Sequence, residues 1–150
     1  MEKSDIDAVS AICLASFSQS VAGTLSDEGI ATFSKIAASS AFFDRMKGDN
    51  VMFVAEYEGN IEGIIELNEG RHIAMFFVDP ERQKKGIGRA LLLFTLEYVK
   101  VDVVTVSASL SSVPAYVKYG FKFNGDTGIS AGLVYQPMKI ELILSHYNQL

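Results

Sequence analysis

The sequence is poor in the residue types that build disulfide frameworks and metal centres. It has one cysteine and two histidines among 150 residues. The single cysteine, Cys13, has no partner for an internal disulfide, and its apolar neighbours Ile12 and Leu14 favour a small buried hydrophobic residue over a nucleophile. Because histidine and cysteine are so scarce, we predict no metal site.

Long apolar runs and low-complexity segments are also missing. No apolar stretch approaches the ~20 residues that a membrane-spanning helix needs, and residues 1–7 are charged rather than signal-like. The net charge of −5 gives no general basic surface for nucleic acid. No linker-like segment or internal repeat divides the chain. We therefore expect one soluble, cytoplasmic domain over residues 1–150, with neither a nucleic-acid nor a membrane partner.

The apolar residues that are present, 49% of the chain, first follow helical and then strand periodicity. The spacing predicts a helix between Ile6 and Phe17 and a second one that starts at Ser26, a good N-cap, and runs to about Ala38. Three β-rich segments follow, separated by tight turns, and they predict an antiparallel meander: Val51–Tyr57, Ile61–Leu67 and Arg71–Val78.

The second half alternates helices and strands. Leu-rich helical spacing begins at Gly86 and is followed by the β-branched run Val101–Val106, so this strand–helix–strand unit predicts a parallel pair. A short helix over Val113–Tyr119 and two final strands, near Phe121–Asn124 and Val134–Leu144, complete the pattern. The predicted class is α+β, with a mixed, mostly antiparallel sheet, a central β-α-β unit and flanking helices.

The strongest chemical signal is a glycine-containing basic segment between a predicted strand and the predicted helix that follows it. It consists of Gln83, Lys84, Lys85, Gly86, Ile87, Gly88, Arg89 and Ala90. Glycine lets a backbone approach a ligand closely, and the free N–H groups of a first helical turn form an anion site. The alternative is a tight turn with solvated basic residues. The segment lacks the third glycine of a dinucleotide fingerprint and the Lys-Ser/Thr end of a P-loop.

This segment resembles motif A of the GNAT superfamily of N-acetyltransferases, which reads Gln or Arg, two residues, Gly, one residue, Gly or Ala. The flanks also match, with Phe77-Val78-Asp79-Pro80 ahead of it and a Leu-rich helix behind. The resemblance implies acetyl-CoA as cosubstrate, with its pyrophosphate held by the backbone from Gln83 to Ala90. It also implies that the backbone at the end of the third strand, at Phe77 and Val78, contacts the cofactor, and that an N–H around Val78 orients the thioester carbonyl.

A second segment is similar to the family's motif B, in which an Asn starts a short helix that carries a Tyr, four residues before Gly-Phe. Here Tyr116, Gly120 and Phe121 stand at those offsets, and Ser109 replaces the Asn as a cofactor contact. The resemblance makes Tyr116 the acid that protonates the departing thiolate, whereas the motif alone fits a packing aromatic equally well. The family usually opens with a strand before its first helix, and here Met1 to Ser4 leave little room for such a strand.

Direct acetyl transfer to an amine also needs a base, because an ammonium has no lone pair. Counting back from Gln83 places His72 where several relatives carry a Glu or His, and a pKa of about 6.5 suits that task. A strand-end surface histidine is the alternative reading. Glu66, within an apolar run of the second strand, is the second choice, and its alternative is a side chain on a wet face.

The acceptor is predicted only by class, as a primary amine of a small molecule or peptide. The resemblance implies that residues 17–43 and the final strands form the walls of the acceptor groove. Five aromatic residues either line that groove or belong to the core: Phe33, Phe42, Phe43, Tyr57 and Tyr135. The acidic net charge favours a cationic acceptor. Two alternatives stay open, a non-catalytic acetyl-CoA sensor or interaction module and a purely structural domain. A homodimer is also compatible with the pattern.

Overall fold

The computed structural model describes residues 1–20 and 25–142 and has an α+β fold. Over these residues the helices are α1 (Ile6–Ser20), α2 (Asp27–Ile36), α3 (Ser39–Arg45), α4 (Ile87–Leu96) and α5 (Val113–Tyr119). The strands are β1 (Asn50–Tyr57), β2 (Asn60–Asn68), β3 (His72–Val78), β4 (Val103–Ala108), β5 (Lys122–Phe123), β6 (Gly128–Ser130) and β7 (Leu133–Glu141). No helix in these two stretches is long and apolar enough to cross a membrane.

Three helices open the chain where the sequence predicted two. Ser26 caps α2 as predicted, because its Oγ accepts a hydrogen bond from the backbone N–H of Gly29 at 3.2 Å. The helix ends at Ile36, and Ala38 adopts an extended conformation that starts the unpredicted α3. A 3-10 turn, Lys3–Asp5, leads directly into α1, so residues 1–20 contain no opening strand.

A seven-stranded sheet in the order β1-β2-β3-β4-β7-β5, with β6 also paired to β7, confirms the predicted mixed topology. The antiparallel meander β1–β2–β3 is joined to β4 by a parallel pair, and β4 pairs antiparallel with β7. Strand β4 starts and ends two residues later than predicted, and β6 was not predicted because Gly128–Ser130 has no apolar alternation. Residues 143 and 144, included in the predicted last strand, lie outside the described residues.

The two central strands, β3 and β4, separate after a short contact. They pair only at His72 with Thr105 and at Ile73 with Val106, after which β3 stays with β2 and β4 stays with β7. The sheet therefore forks toward the C-terminal ends of both strands. A bulge opposite Glu66 and Leu67 adds one residue to β3, so that both Ile73 and Phe76 pack on the same face.

Each face of the sheet carries its own apolar core. One core lies under α4 and α5 and includes Ile65, Leu91 and Val106. The other lies under α1 to α3 and includes Val9, Phe42 and Ile64. Because apolar residues on both sides exclude water, the central strands are held rigidly, and the fork keeps a fixed shape between two packed layers.

Candidate cofactor cleft

A cleft of about 530 Å³ lies at the mouth of the fork. It is bounded by the end of β3, the loop before α4, the first turn of α4 and one side of α5. The lining residues are Phe76, Val78, Arg82, Gln83, Lys84, Gly86, Ile87, Gly88, Arg89, Ser111, Ser112, Pro114, Ala115, Tyr116, Lys118 and Tyr119. The cleft is thus apolar at its base and basic at its rim.

The loop before α4 turns a helix N-terminus toward this cleft. Gly86 is the N-cap residue with φ of 81° in the left-handed region, and no side chain caps the helix there. A β-carbon added at Gly86 would meet no atom within 4 Å, so the backbone faces open space. The first-turn N–H groups from Ile87 to Arg89 have no helical acceptor, whereas the amide of Ala90 donates to the Gly86 carbonyl. The first turn of α4 thus has three backbone donors without a helical acceptor, and the amide of Ala90 is not one of them.

Gly88 lines the cleft and also has a packing role. It is buried, and a β-carbon at this position would lie 2.5 Å from the Tyr119 hydroxyl oxygen and 3.6 Å from both Phe76 and Val78. Gly88 therefore permits close packing of α4 against β3 and α5, while Gly86 supplies the open, left-handed turn.

Tyr116 lies at the base of the cleft, between Phe76 and Phe121. Its ring meets these two rings edge to face, with centroids 6.1 and 5.2 Å away. The residue is only 7% exposed, yet it lines the cleft. Burial raises the pKa of Tyr116 above its ordinary value of about 10, so the phenol is protonated at neutral pH and is available as a hydrogen-bond or proton donor.

Four residues predicted to bind the cofactor are not among the residues that line the cleft: Phe77, Lys85, Ala90 and Ser109. Phe77 points to the opposite core and meets Phe33 edge to face at 5.6 Å, because strand alternation turns it away from Phe76. The hydroxyl of Ser109 is bound to that of Ser112 at 2.6 Å. Ser111 and Ser112 reach the cleft in its place.

His72 lies beside the closed end of the fork rather than in the cleft. Its neighbour Ile73 belongs to the core under α4, so alternation directs His72 to the other face of the sheet. There its Nδ1 is 2.8 Å from the Thr105 hydroxyl, in a separate depression of about 540 Å³. Burial and, to a lesser extent, the nearby Arg71 lower the pKa of His72 below 6.5, so the imidazole is neutral at neutral pH.

Glu66 is part of a buried ion pair, so the interpretation as a side chain on a wet face is wrong, whereas its role as a base stays a prediction. Its side chain is 0% exposed, so it is not on a wet face. Its carboxylate accepts hydrogen bonds from Arg45 Nε at 2.9 and 3.2 Å and from Asn50 Nδ2 at 2.9 Å. Burial raises the pKa of Glu66 and the Arg45 guanidinium opposes that rise. The carboxylate is occupied in joining α3 to β2 and does not reach the cleft.

The aromatic residues considered for the acceptor groove divide between core and surface. Phe33 and Phe42 are buried core residues, and Phe43 packs against the same core. Tyr57 is 61% exposed on β1, and Tyr135 is partly buried on β7. Cys13 is buried as predicted, and burial raises the pKa of its thiol to about 12, which makes it a poor nucleophile.

Sequence reasoning did not single out Phe76, Lys118 or Tyr119, all of which line the cleft. Phe76 adjoins the predicted Phe77, but the bulge in β3 decides which of the two faces α4. Tyr119 stands three residues after Tyr116, and this spacing places two side chains on neighbouring parts of one helix face. That spacing was the available signal for a second phenol in the cleft.

Known proteins share this sequence pattern and architecture. The family described as "Acetyltransferase (GNAT) domain" matches residues 21–142. A 104-residue stretch is 32% identical to the UPF0157 protein YqkA of Bacillus subtilis (strain 168), and it covers 61% of this chain but 30% of that protein. The chain thus spans less than a third of the length of that relative.

Two solved structures have a similar fold. One is a GCN5-related N-acetyltransferase from Rhodopseudomonas palustris, with a TM-score of 0.79 and 23% identity over 95% of this chain and 92% of that chain. The other is the PaiA N-acetyltransferase from Thermoplasma acidophilum in complex with coenzyme A, with a TM-score of 0.79 and 20% identity over 94% of this chain and 95% of that chain. Since the matching family model extends over most of the sequence, the chain belongs to the GNAT acetyltransferase family.

Proposed function

We propose that this protein transfers the acetyl group of acetyl-CoA directly to a primary amine. One observation carries the proposal: a helix N-terminus with free amides stands at the mouth of a sheet fork, and a protonated phenol stands at the base of the same cleft. Family membership and the coenzyme A found in the PaiA structure support the choice of cofactor.

The anchoring step is assigned to the first turn of α4. The N–H groups of residues 87–89 and the positive end of the helix dipole would hold the pyrophosphate of the coenzyme. Lys84 and Arg89 at the rim, together with Arg82, would add attraction for its negative charge. The pantetheine arm would then run along β3 into the fork, toward Phe76.

Polarisation of the thioester is assigned to β3. Beyond Ile73 the edge of β3 that faces the fork has no partner strand, so backbone N–H groups there are free to donate to the carbonyl oxygen. Tyr116, deeper in the same cleft, would give its proton to the departing thiolate. Both donors act on the charge that develops during transfer, which is where a fixed donor contributes most.

For removal of the amine proton we retain His72 as the proposed base, with bound water as its alternative. Among the described residues that line the cleft there is no histidine or carboxylate, and Glu66 is held by Arg45 and Asn50. His72 lies in the first of the two β3–β4 pairs, one residue before the last pair, Ile73 with Val106, and on the face opposite α4, so a bound water would have to relay the proton to it. Its neutral imidazole can accept a proton.

The acceptor is proposed to approach from the side of α2 and the β6–β7 hairpin. These elements meet beside the fork, where Thr32 Oγ1 donates to the Ala131 carbonyl at 2.7 Å and Gly29 packs on Gly132. The net charge of −5 favours a cationic small molecule or peptide amine over an anionic acceptor.

A titration with acetyl-CoA, coenzyme A and NADH, followed by a thiol-release screen of amines, tests the proposal. We expect heat of binding and thermal stabilisation from both coenzyme A species, none from NADH, and amine-dependent thiol release. Coenzyme A binding without thiol release across polyamines, amino sugars and peptide N-termini would favour the non-catalytic sensor, which the lack of a base among the cleft-lining residues also allows. Absence of coenzyme A binding would contradict both.

A further inference from the structure

Tyr119 is the last residue of α5, and its side chain spans the cleft toward the first turn of α4. Its ring is stacked on Phe76, with 5.9 Å between centroids and 27° between planes. It also meets Tyr116 edge to face, with 6.3 Å between ring centroids. Two aromatic neighbours therefore fix the direction in which the phenol points.

The hydroxyl of Tyr119 rests on the backbone of α4. A β-carbon built on Gly88 would be 2.5 Å from this oxygen, so the absence of a side chain at Gly88 is what gives the hydroxyl its place. Gly88 is the second residue of α4, and its N–H is one of the free amides at the mouth of the fork.

No described residue accepts or donates a hydrogen bond at this hydroxyl, although the side chain is half-buried. Burial raises the pKa of Tyr119, and the nearby Arg89 guanidinium opposes that rise. The phenol is therefore protonated at neutral pH and carries one unused donor beside an anion site. A polar group held in this way by packing is ready to bind a ligand at little entropic cost.

We propose that the Tyr119 hydroxyl donates a hydrogen bond to the diphosphate of coenzyme A and completes the anion site that the α4 amides begin. A phosphate oxygen held by the N–H of Gly88 would lie close to the Tyr119 hydroxyl, because that hydroxyl is the heavy atom nearest to the place of a Gly88 β-carbon. Tyr119 then positions the cofactor, and Tyr116, deeper in the cleft, stays with the thioester. The inference rests on the proposed function, because it assumes that the cleft binds coenzyme A.

The test compares Tyr119→Phe with the control Tyr98→Phe. Tyr98 follows α4, lies outside the cleft and contacts Phe53 and Phe94. The affinity for coenzyme A and dephospho-coenzyme A, which both carry the diphosphate, is measured by calorimetry. The affinity for pantetheine, which lacks it, is measured by competition with coenzyme A so that weak binding is still detected. Thermal unfolding of each variant verifies that it folds.

We expect Tyr119→Phe to bind coenzyme A and dephospho-coenzyme A about tenfold more weakly, the size of one hydrogen bond to a charged group. Its affinity for pantetheine and all affinities of Tyr98→Phe should equal those of the wild type. An equal loss for pantetheine would overturn the inference by placing Tyr119 on the pantetheine arm. An unchanged affinity for coenzyme A would overturn it and leave the proposed function standing. If the wild type itself bound no coenzyme A, the proposed function would fail first.

Discussion

At the scale of single residues, Tyr116 is the side chain whose chemistry can be isolated most cleanly. It differs from Phe only in the hydroxyl, and its ring packing against Phe76 and Phe121 would survive the change. We predict that Tyr116→Phe lowers kcat by about 10²-fold or more, the usual contribution of a positioned proton donor, with little change in coenzyme A affinity. Steady-state kinetics and calorimetry on the same protein measure both. Unchanged turnover would make Tyr116 a packing residue.

His72 offers a second residue-scale prediction, this time through pH. Since the pKa of His72 is lowered, the imidazole loses its basic form only as the pH falls below about 6.5. If it is the base, kcat/KM should decline on that acidic side, and His72→Ala should lower the rate and remove the decline. The pH profile of Thr105→Val is a useful comparison, because it removes only the hydroxyl that contacts Nδ1. An acidic limb that persists in His72→Ala would assign proton removal to water.

At the scale of secondary structure elements, the Arg45–Glu66 pair fastens α3 to the sheet. Arg45 also donates to the carbonyl of Ile36 at 2.9 Å and covers the ring of Phe42, so this one side chain links α2, α3 and β2. We predict that Arg45→Met lowers the free energy of unfolding by about 3–5 kcal/mol, because it leaves a buried carboxylate without its counter-charge. Urea denaturation measures the loss.

The matched control for that prediction is Arg71→Met. Arg71 also pairs with a carboxylate, Glu69, but both side chains are more than half exposed, and such pairs contribute little. The double variant Arg45→Met with Glu66→Leu should recover much of the lost stability, since it removes the stranded charge. Equal losses in Arg45→Met and Arg71→Met would show that burial does not matter at this site.

At the scale of the whole molecule, charge is divided unequally. The protein carries a net charge of −5, yet the cleft rim collects Arg82, Lys84, Arg89 and Lys118. We predict that raising NaCl from about 50 mM to about 500 mM weakens coenzyme A binding several-fold, because salt screens exposed charges, and leaves pantetheine binding unchanged. Calorimetric titrations across that range give the slope. A coenzyme A affinity independent of salt would assign its binding to the amides and the apolar arm alone.

The homodimer stays a prediction at this scale. Strand β1 is an edge of the sheet, and Phe94 and Tyr98 are half-exposed on the α4 side of Phe53. Sedimentation velocity at micromolar concentration would measure the state of association directly. Domain extent, residues 1–150, likewise stays a prediction, and limited proteolysis would test it.

The amino-acid sequence by itself determined most of the elements, their order and the location of the glycine-containing loop before α4. Periodicity, the Ser26 cap and the turns between strands are local signals, which is why α2, the β1–β3 meander and the start of α4 were predicted to within a few residues. The loop at Gly86 was also readable, because a left-handed N-cap before an apolar helix leaves a glycine in the sequence.

Only the tertiary structure decided which predicted residues meet. The bulge in β3 directs Phe76 into the cleft and Phe77 out of it. Arg45 on α3 forms a buried ion pair with the Glu66 carboxylate and holds it away from the cleft. Packing across the cleft brought Tyr119 onto Gly88 from a helix that lies far away in sequence. Strand register, ion pairing and contact between distant elements depend on how the whole chain packs, so no short segment of the sequence predicts them.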